Sequence, residues 1–224
     1  LQTNGTTFTH SSGTVVIGNT GTLSPEDAFN NLTISGGTVT IDRSLSVGSA
    51  FTGSGGTIAG TGSPVVTVTG NLVSSGATFN NTLSILLYGN LSMTNGSLVS
   101  NLTFTGTNAQ TVSRTAGSAS GTWTINKGAN DVTAITNLAF SSFLSPDLVI
   151  TNTEFDANNN QVVFDVVTQN GGTFTGGNNS LSFNYFNLTN GTFNSTSGTL
   201  TVARDFIQTG GTFNHNNGTV QNRS

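Results

Sequence analysis

The chain has 224 residues, only 6% of them are charged, and the formal net charge at pH 7 is −4. About a quarter of the residues in a typical soluble domain are charged, so Thr, Ser and Asn side chains must keep this surface hydrated. Because the five Lys and Arg residues are scattered singly, the composition excludes a basic patch for nucleic acid or for an anionic membrane. There is no cysteine, and the apolar runs are far too short for membrane insertion.

The chain up to Val68 shows strand-like alternation without a clean period. Pairs such as Val39 with Ile41 and Val66 with Val68 are separated by a single residue, which places both side chains of a pair on one face of a strand. We expect these pairs to point into a β core.

Within this region, the run Ser24-Pro25-Glu26-Asp27 has the signature of a helix start. Ser is a favoured N-cap, Pro is favoured at the first helical position, and acidic residues suit the first turn. The run therefore predicts a single helical turn inside a protruding loop near residues 18–29.

The middle of the chain repeats itself directly. Residues 71–85 align with residues 90–104, so that Asn-Leu starts both segments and Ile85 aligns with Phe104. We interpret the two segments as successive coils of a stacked structure. The next stretch, residues 106–121, is polar and rich in Gly, Ala and Ser, and it predicts a second protruding loop.

The last third of the chain repeats most clearly. A Gly-Thr-Phe element recurs at nearly constant spacing, at Phe174, Phe193 and Phe213, and a second apolar series follows seven residues later, at Leu181, Leu200 and Val220. Two apolar ladders with one period predict a short unit stacked on copies of itself, and the alternation within each unit predicts strands. The expected fold is all-β, a single-stranded β-solenoid of roughly 19–22-residue coils that spans residues 1–224 as a single domain.

The two ends of the chain carry the same repeat. Residues Gln2–Val15 restate residues Gln208–Val220 with one residue inserted. An uncapped solenoid end exposes strand edges that template further pairing. The chain is therefore expected to be a segment of a longer repeat array or a filament subunit, with itself as an end-to-end partner through the terminal coils.

The repeat also resembles a known class of proteins. The element Gly-Thr-Phe-x-His-x-x-Gly-Thr-Val at residues 211–220, its counterpart ending at Val15, and the stretches 105–113 and 31–34 look like the repeats of large bacterial cell-surface β-solenoid proteins. The resemblance implies an exported, adhesin-like or filament-like protein, located outside the cell or on the bacterial surface, with no catalytic activity. It leaves open whether a surface glycan or a host-cell ligand is bound.

Two carboxylates, Glu154 and Asp156, flank Phe155 and would share one face of a strand. This spacing suits acid/base chemistry in a carbohydrate-active β-helix enzyme. Such an enzyme would need a cleft lined by both carboxylates and by a cation from an adjacent coil. Because Lys127 is the sole lysine and no basic residue lies one coil away, we expect two solvated carboxylates instead.

Metal-ligand patterns are weak. Asp156, Asn158 and Asn160 place oxygen atoms at alternate positions, as a calcium loop begins, but Gln161 stands where such a loop needs Gly. His10 and His215 occupy the same slot of the terminal repeat, yet two side chains are too few for a metal site. We expect no metal and no cofactor.

Pairs of Thr that flank one apolar residue are the most suggestive surface motif. They are Thr7 and Thr9, Thr38 and Thr40, Thr67 and Thr69, Thr103 and Thr105, Thr122 and Thr124, Thr173 and Thr175, and Thr199 and Thr201. Outward Thr pairs on one flat face would resemble the surface of antifreeze solenoids, although Thr is also a favoured exposed strand residue. The uneven spacing of the pairs disfavours the regular array that ice binding requires.

These patterns favour a non-catalytic structural protein of the bacterial cell surface or extracellular space, in which stacked coils form a stiff rod or filament. An ice-binding solenoid is the first alternative. A carbohydrate-active β-helix enzyme is the second.

Overall fold

The computed structural model describes residues 12–141 and 145–223. The described residues form a β-solenoid of about 11 turns, with coils about 19 residues apart and without a helix. The all-β, single-solenoid fold expected from the periodicity is therefore confirmed. The first Thr pair and His10 lie outside the described residues.

Twenty-two strands make up the described coils. They are β1 (Thr14–Ile17), β2 (Gly21–Leu23), β3 (Asn31–Ile41), β4 (Leu45–Val47), β5 (Phe51–Gly60), β6 (Val65–Val68), β7 (Leu72–Phe79), β8 (Ser84–Leu87), β9 (Leu91–Leu98), β10 (Asn101–Phe104), β11 (Gln110–Arg114), β12 (Ser118–Ala119), β13 (Thr122–Ile125), β14 (Val132–Ala134), β15 (Asp147–Ile150), β16 (Glu154–Asp156), β17 (Val162–Thr175), β18 (Leu181–Asn194), β19 (Thr199–Val202), β20 (Phe206–Gln208), β21 (Thr212–Asn214) and β22 (Thr219–Asn222).

The described chain falls into two compact units. The first contains the residues up to Thr103 together with Thr115–Gly121, and the second contains Phe104–Arg114 together with the residues from Thr122 onward. In each unit the strands pair in parallel with the equivalent strands of the next coil, which is the arrangement of a solenoid.

Each coil of the first unit contributes to three columns of parallel strands. The Leu32 column aligns Val15, Leu32, Phe51, Leu72 and Leu91. The Val39 column aligns Gly21, Val39, Ile58, Phe79, Leu98 and Ala119. The Leu45 column aligns Leu45, Val66 and Ile85. The sequence spacing of successive partners varies along each column, so some coils are longer than others.

The second unit also has three columns. The Trp123 column aligns Trp123, Leu148, Val167, Phe186 and Phe206. The Phe174 column aligns Gln110, Val132, Phe155, Phe174, Phe193 and Phe213. The Leu181 column aligns Leu138, Val162, Leu181, Leu200 and Val220.

The core of each unit is built from the inward residues of these columns. Along the straight parts of β17 and β18, buried and half-buried residues alternate, because successive side chains of a strand point to opposite faces. Phe174 and Phe193 lie with ring centroids 4.5 Å apart and 16° between ring planes. Phe193 and Phe213 are 5.6 Å apart at 5°. The predicted stacking of phenylalanines one coil apart is therefore confirmed, and offset stacking adds to their burial.

The backbone conformation explains why glycine precedes each Thr-Phe. Gly172, Gly191 and Gly211 all have positive φ, of 61°, 85° and 66°. A Cβ on Gly191 would lie 2.4 Å from the carbonyl oxygen of Gly172 in the preceding coil. Only glycine combines this backbone conformation with such close stacking of corners. Positive-φ glycines recur in the first unit at Gly37, Gly56, Gly96 and Gly117.

The predicted helical turn at residues 24–27 is wrong. Ser24 does not cap a helix; its hydroxyl donates to Asp42 Oδ2 at 2.6 Å, and the backbone N–H of Asp42 donates to Leu23 O. Glu26 forms an ion pair with Arg43 at 3.3 Å. Contacts with the following coil thus replace the local hydrogen bonds that the capping signature would have supported.

The two expected loops also contain strands. The segment near residues 18–29 includes β2 and ends with Phe29, which is buried and bridges to Val47. The segment 106–121 includes β11 and β12. Polar and small residues mask these strands in the sequence, because a short strand needs only one or two inward side chains.

Candidate functional site

A polar groove lies on the second unit, at the corner where the chain enters the Phe174 column. It has a volume of about 440 Å³ and is lined by Asn130, Asp131, Thr153, Glu154, Gly172 and Thr173. These are three pairs of equivalent residues from three successive coils, because Val132, Phe155 and Phe174 are aligned in register. The groove is therefore a consequence of coil stacking.

The corner residues of the groove share one backbone conformation. Asn130 and Thr153 have φ values of 57° and 53°, close to the 61° of Gly172. A β-branched residue rarely adopts this conformation. The hydroxyl oxygen of Thr153 is buried and has no hydrogen-bond partner among the described residues.

The carboxylates in the groove are already held by hydroxyl groups. Thr175 Oγ1 donates to Glu154 Oε1 at 2.5 Å, and Thr133 Oγ1 donates to Asp131 Oδ2 at 3.2 Å. The enzyme alternative requires Glu154, Asp156 and a cation around one cleft. The groove pairs Glu154 with Asp131 instead, and neither Asp156 nor a basic side chain is among its lining residues.

The sole lysine of the chain lies beneath this region. Lys127 is only 2% exposed, and its Nζ donates to Asn108 O and to Gln110 Oε1, both at 2.7 Å. Burial lowers the pKa of Lys127 below its ordinary value, and the negative charge of Asp131 opposes part of this shift. Lys127 therefore ties residues 108–110 to the following coil of the second unit.

The calcium candidates Asp156, Asn158 and Asn160 lie at a corner of a coil, where the side chains of Asp156 and Asn160 form hydrogen bonds with backbone groups. Asp156 Oδ1 accepts a hydrogen bond from the backbone N–H of Asn158 at 2.7 Å. Asn160 Nδ2 donates to Ala134 O at 2.8 Å. Within residues 12–141 and 145–223, no group of three His, Cys, Asp or Glu side chains could hold a metal ion. The Asn run thus supplies corner hydrogen bonds.

The described Thr pairs of the first unit do not share one surface. Thr38 and Thr40 belong to the Val39 column. Thr67 belongs to the Leu45 column. Thr69 lies just beyond the end of β6 and is exposed, so it is not an outward strand position as the motif predicted. Thr7 and Thr9 are outside the described residues.

The remaining Thr pairs are divided among other strands. Thr103 is in β10, but Thr105 follows the end of that strand. Separate columns hold the others: Thr122 and Thr124 lie in the Trp123 column, Thr173 and Thr175 in the Phe174 column, and Thr199 and Thr201 in the Leu181 column. The Thr pairs are therefore spread over several columns, because the motif marks outward positions of any strand.

A different set of hydroxyl groups forms a continuous row on the first unit. Outward positions of the Val39 column align Thr38, Thr57, Thr78, Ser97 and Ser118. We call this row the hydroxyl ladder. Its last two members are hydrogen-bonded, Ser118 Oγ to Ser97 Oγ, at 3.0 Å. Because coil length varies, the ladder has no constant spacing in the sequence, although Gly-Thr and Gly-Ser dipeptides contain most of its members.

Comparisons with protein-family models, with curated proteins and with solved structures found no match to this chain. In the part of the chain that the structure describes, no helix is long and apolar enough to cross a membrane. The function must therefore be argued from the residues and their geometry.

Proposed function

We propose that this chain is a non-catalytic structural protein of the bacterial cell surface or extracellular space. Its coils act as a stiff rod that holds position or spans distance, and its hydroxyl-rich and amide-rich faces are available for adhesion. The observation that carries this proposal is the stacking of buried apolar side chains and parallel strand pairs from coil to coil within each unit.

The ladders support a mechanical role because every coil is held by its neighbours in two ways. Backbone hydrogen bonds join equivalent strands, as along the aligned pairs of β17 and β18. Inward rings such as Phe174 and Phe193 are fully buried between coils, and burying such a side chain stabilises the fold by about 1.5–3 kcal/mol. Deforming one coil therefore breaks both kinds of contact at once.

The composition supports an extended surface role as well. With 6% charged residues, the protein presents mainly Thr, Ser and Asn to solvent. Such a surface offers many hydrogen-bond donors and acceptors without a strong field, which suits contacts with neutral polymers rather than with nucleic acid.

Force spectroscopy on the chain held at its two ends tests the mechanical proposal. We expect a series of steps in which one coil of about 19 residues peels off at a time, each step releasing about 65 Å of chain at about 3.4 Å per residue. Phe193→Ala should lower the force of one step, whereas Thr192→Ala, the outward neighbour, should not. Extension of the whole chain at low force without steps would rule out a load-bearing role.

The hydroxyl ladder favours a second candidate function, ice binding. Five outward hydroxyl groups follow one another on successive coils of the first unit, and a second row begins beside them with Thr22 and Thr40. The second row continues with Ala59, so the face is hydroxyl-rich but not uniform.

Thermal hysteresis and ice-crystal shape distinguish this candidate from the structural role. If ice is bound, Thr57→Lys and Thr78→Lys should abolish hysteresis, because a long charged side chain disrupts a flat face. Thr52→Lys, on an outward position of the Leu32 column, should preserve it. Absence of hysteresis in the unsubstituted protein eliminates the candidate.

A further inference from the structure

Lys127 and Gln110 form a buried pair of reactive side chains within the second unit. Lys127 is 2% exposed and Gln110 is fully buried. The Nζ atom of Lys127 donates to Gln110 Oε1 and to Asn108 O, both at 2.7 Å. An amine is therefore held against a carboxamide that lies 17 residues earlier in the chain.

The backbone on both sides of this contact is fixed by neighbouring coils. Gln110 is aligned with Val132 in the parallel pairing of β11 with β14, and its backbone N–H donates to Asp131 O at 3.0 Å. The backbone N–H of Lys127 donates to Asn152 Oδ1 at 2.7 Å. Such fixed orientation makes an intramolecular reaction as effective as a reactant concentration of about 10⁵–10⁸ M.

The surroundings of Lys127 favour the nucleophilic form of its amine. Burial lowers the pKa of Lys127, and the negative charge of Asp131 opposes part of this shift. A lower pKa raises the fraction of neutral amine, which has the lone pair needed to attack a carbonyl carbon. The carbonyl carbon Cδ of Gln110 is bonded to the oxygen that Nζ contacts, so nucleophile and electrophile are neighbours. Burial also excludes the bulk water that would compete with the amine.

We propose that Lys127 and Gln110 join in an intramolecular isopeptide bond. The neutral Nζ of Lys127 attacks Cδ of Gln110, the new C–N bond forms, and the bond between Cδ and Nε2 breaks. One proton passes from Nζ to Nε2, and this nitrogen leaves as ammonia. An amine and a carboxamide thus give a secondary amide and ammonia, and no oxidant, reductant or further reactant is consumed.

The product suits this buried position better than the separate side chains do. A buried ammonium group carries a large desolvation cost, whereas a secondary amide is neutral. The remaining N–H of the former amine can still donate to Asn108 O, which now accepts from Nζ. Removal of the buried charge and release of ammonia both favour the joined state.

The bond closes a covalent loop that covers most of one coil, since Gln110 is in register with Val132 of the next coil. A force on the two ends of the chain could then not extend residues 110–127. A cross-link of this kind also restricts the unfolded chain, as a disulfide does. The inference goes beyond the structural role proposed above and does not depend on it.

Mass spectrometry of the full chain under denaturing conditions tests the proposal. The folded protein should lose the mass of one ammonia. Trypsin cleaves after Lys and Arg, and Arg114 lies between the two joined residues. The digest should therefore contain residues 44–114 joined to residues 115–204, without cleavage after Lys127.

Two variants locate the bond. Lys127→Arg keeps a cation but removes the amine, so it should show the full mass and no joined peptides. Gln169→Leu is the matched control, because Gln169 is also fully buried but donates to the backbone carbonyl groups of Gly172 and Thr192 instead of contacting a lysine. The folded Gln169→Leu protein should still give the joined peptides.

Full mass and separate peptides after prolonged incubation of the folded, unsubstituted protein overturn the inference. Loss of ammonia without joined peptides overturns it too, because the ammonia then comes from another site. Joined peptides in Lys127→Arg have the same consequence. Mass spectrometry also identifies the unjoined form, in which alone the amine of Lys127 titrates.

Force spectroscopy gives an independent measurement. The joined protein should reach a full extension shorter than that of Lys127→Arg by about 58 Å, from 17 residues at about 3.4 Å per residue. Equal extension of the two proteins overturns the inference. Stepwise peeling together with equal extension would leave the structural role intact while removing the isopeptide bond.

Discussion

At the scale of single residues, the corners of the coils are the most constrained positions. Gly172, Gly191 and Gly211 stack with positive φ, and the carbonyl groups of one coil lie against the Cα atoms of the next. Asn130 and Thr153 occupy corners equivalent to that of Gly172, and all three residues line the groove. The groove is therefore built from the corner residues of three successive coils.

Replacement of Gly191 by Ala should destabilise the protein by at least about 2 kcal/mol. A residue with a Cβ in the left-handed backbone conformation by itself costs about 1–2 kcal/mol. The same Cβ would also lie 2.4 Å from Gly172 O. Gly62→Ala separates the two causes, since Gly62 has a φ of 75° but open space around it. Gly21→Ala has neither problem. Denaturant unfolding should show the largest loss of stability for Gly191→Ala, a smaller loss for Gly62→Ala and the smallest for Gly21→Ala. Equal losses in the three variants would contradict the argument from close stacking of corners.

The buried lysine predicts a pH dependence of stability. Because the pKa of Lys127 is lowered in the folded protein from its ordinary 10.5, the unfolded chain binds more protons between the folded pKa and that value. Stability contributed by this group therefore rises with pH across that window. Chemical denaturation at a series of pH values up to the ordinary lysine pKa of 10.5 should show this rise in the unsubstituted protein relative to Lys127→Met. Parallel pH profiles for the two proteins would show that Lys127 is not desolvated.

At the scale of elements, strands differ in how many neighbours they have. β18 pairs with β17 on one side and with β19, β20 and β21 on the other. β22 pairs only with β19 among the described strands. In the 224-residue chain, stability should therefore fall toward β20, β21 and β22, since interface energies in stacked repeats add coil by coil.

Amide hydrogen exchange measures this gradient. We expect the slowest exchange in β17 and β18 and the fastest in β20, β21 and β22, because local opening of an edge coil breaks one interface instead of two. Hydrogen exchange should be measured at low protein concentration, so that association between copies of the chain is minimal. Uniform protection across the second unit would indicate that its coils unfold as one block.

At the scale of the whole molecule, ion pairs between described residues contribute little to stability. The described residues contain one ion pair, between Arg43 and Glu26, at the surface. Surface pairs contribute about 0–1 kcal/mol. Burial and backbone pairing must supply nearly all of the stability.

Thermal unfolding should consequently be almost insensitive to moderate salt. Between about 0.02 and 0.2 M NaCl, where the Debye length shortens to less than about 10 Å, the midpoint should shift by less than about 2 °C. Arg43→Ala should give the same small shift. A large salt dependence would point to charge interactions beyond the Arg43–Glu26 pair and the attraction between Lys127 and Asp131.

The sequence alone determined the solenoid, because regular stacking imposes one period on every inward residue. Phe174, Phe193 and Phe213 show this directly: a nearly fixed contour length per coil places each ring over the previous one. The same logic identified residues 71–85 and 90–104 as coils. The Gly-Thr-Phe signature was visible too, although its meaning as a left-handed corner was not.

Only the tertiary structure showed the length and conformation of the corners between the strands. Coil length varies at the corners: the coil from Trp123 to Leu148 is longer than the coil from Leu148 to Val167, because a corner can take extra residues without disturbing the strand pairs beside it. Because corner length varies, the sequence has no constant spacing that would reveal the hydroxyl ladder, the polar groove or the strands within residues 106–121. It also explains why Ser24 bonds to Asp42 rather than capping a helix: a partner one coil away is close in space, and a local signature does not contain that information.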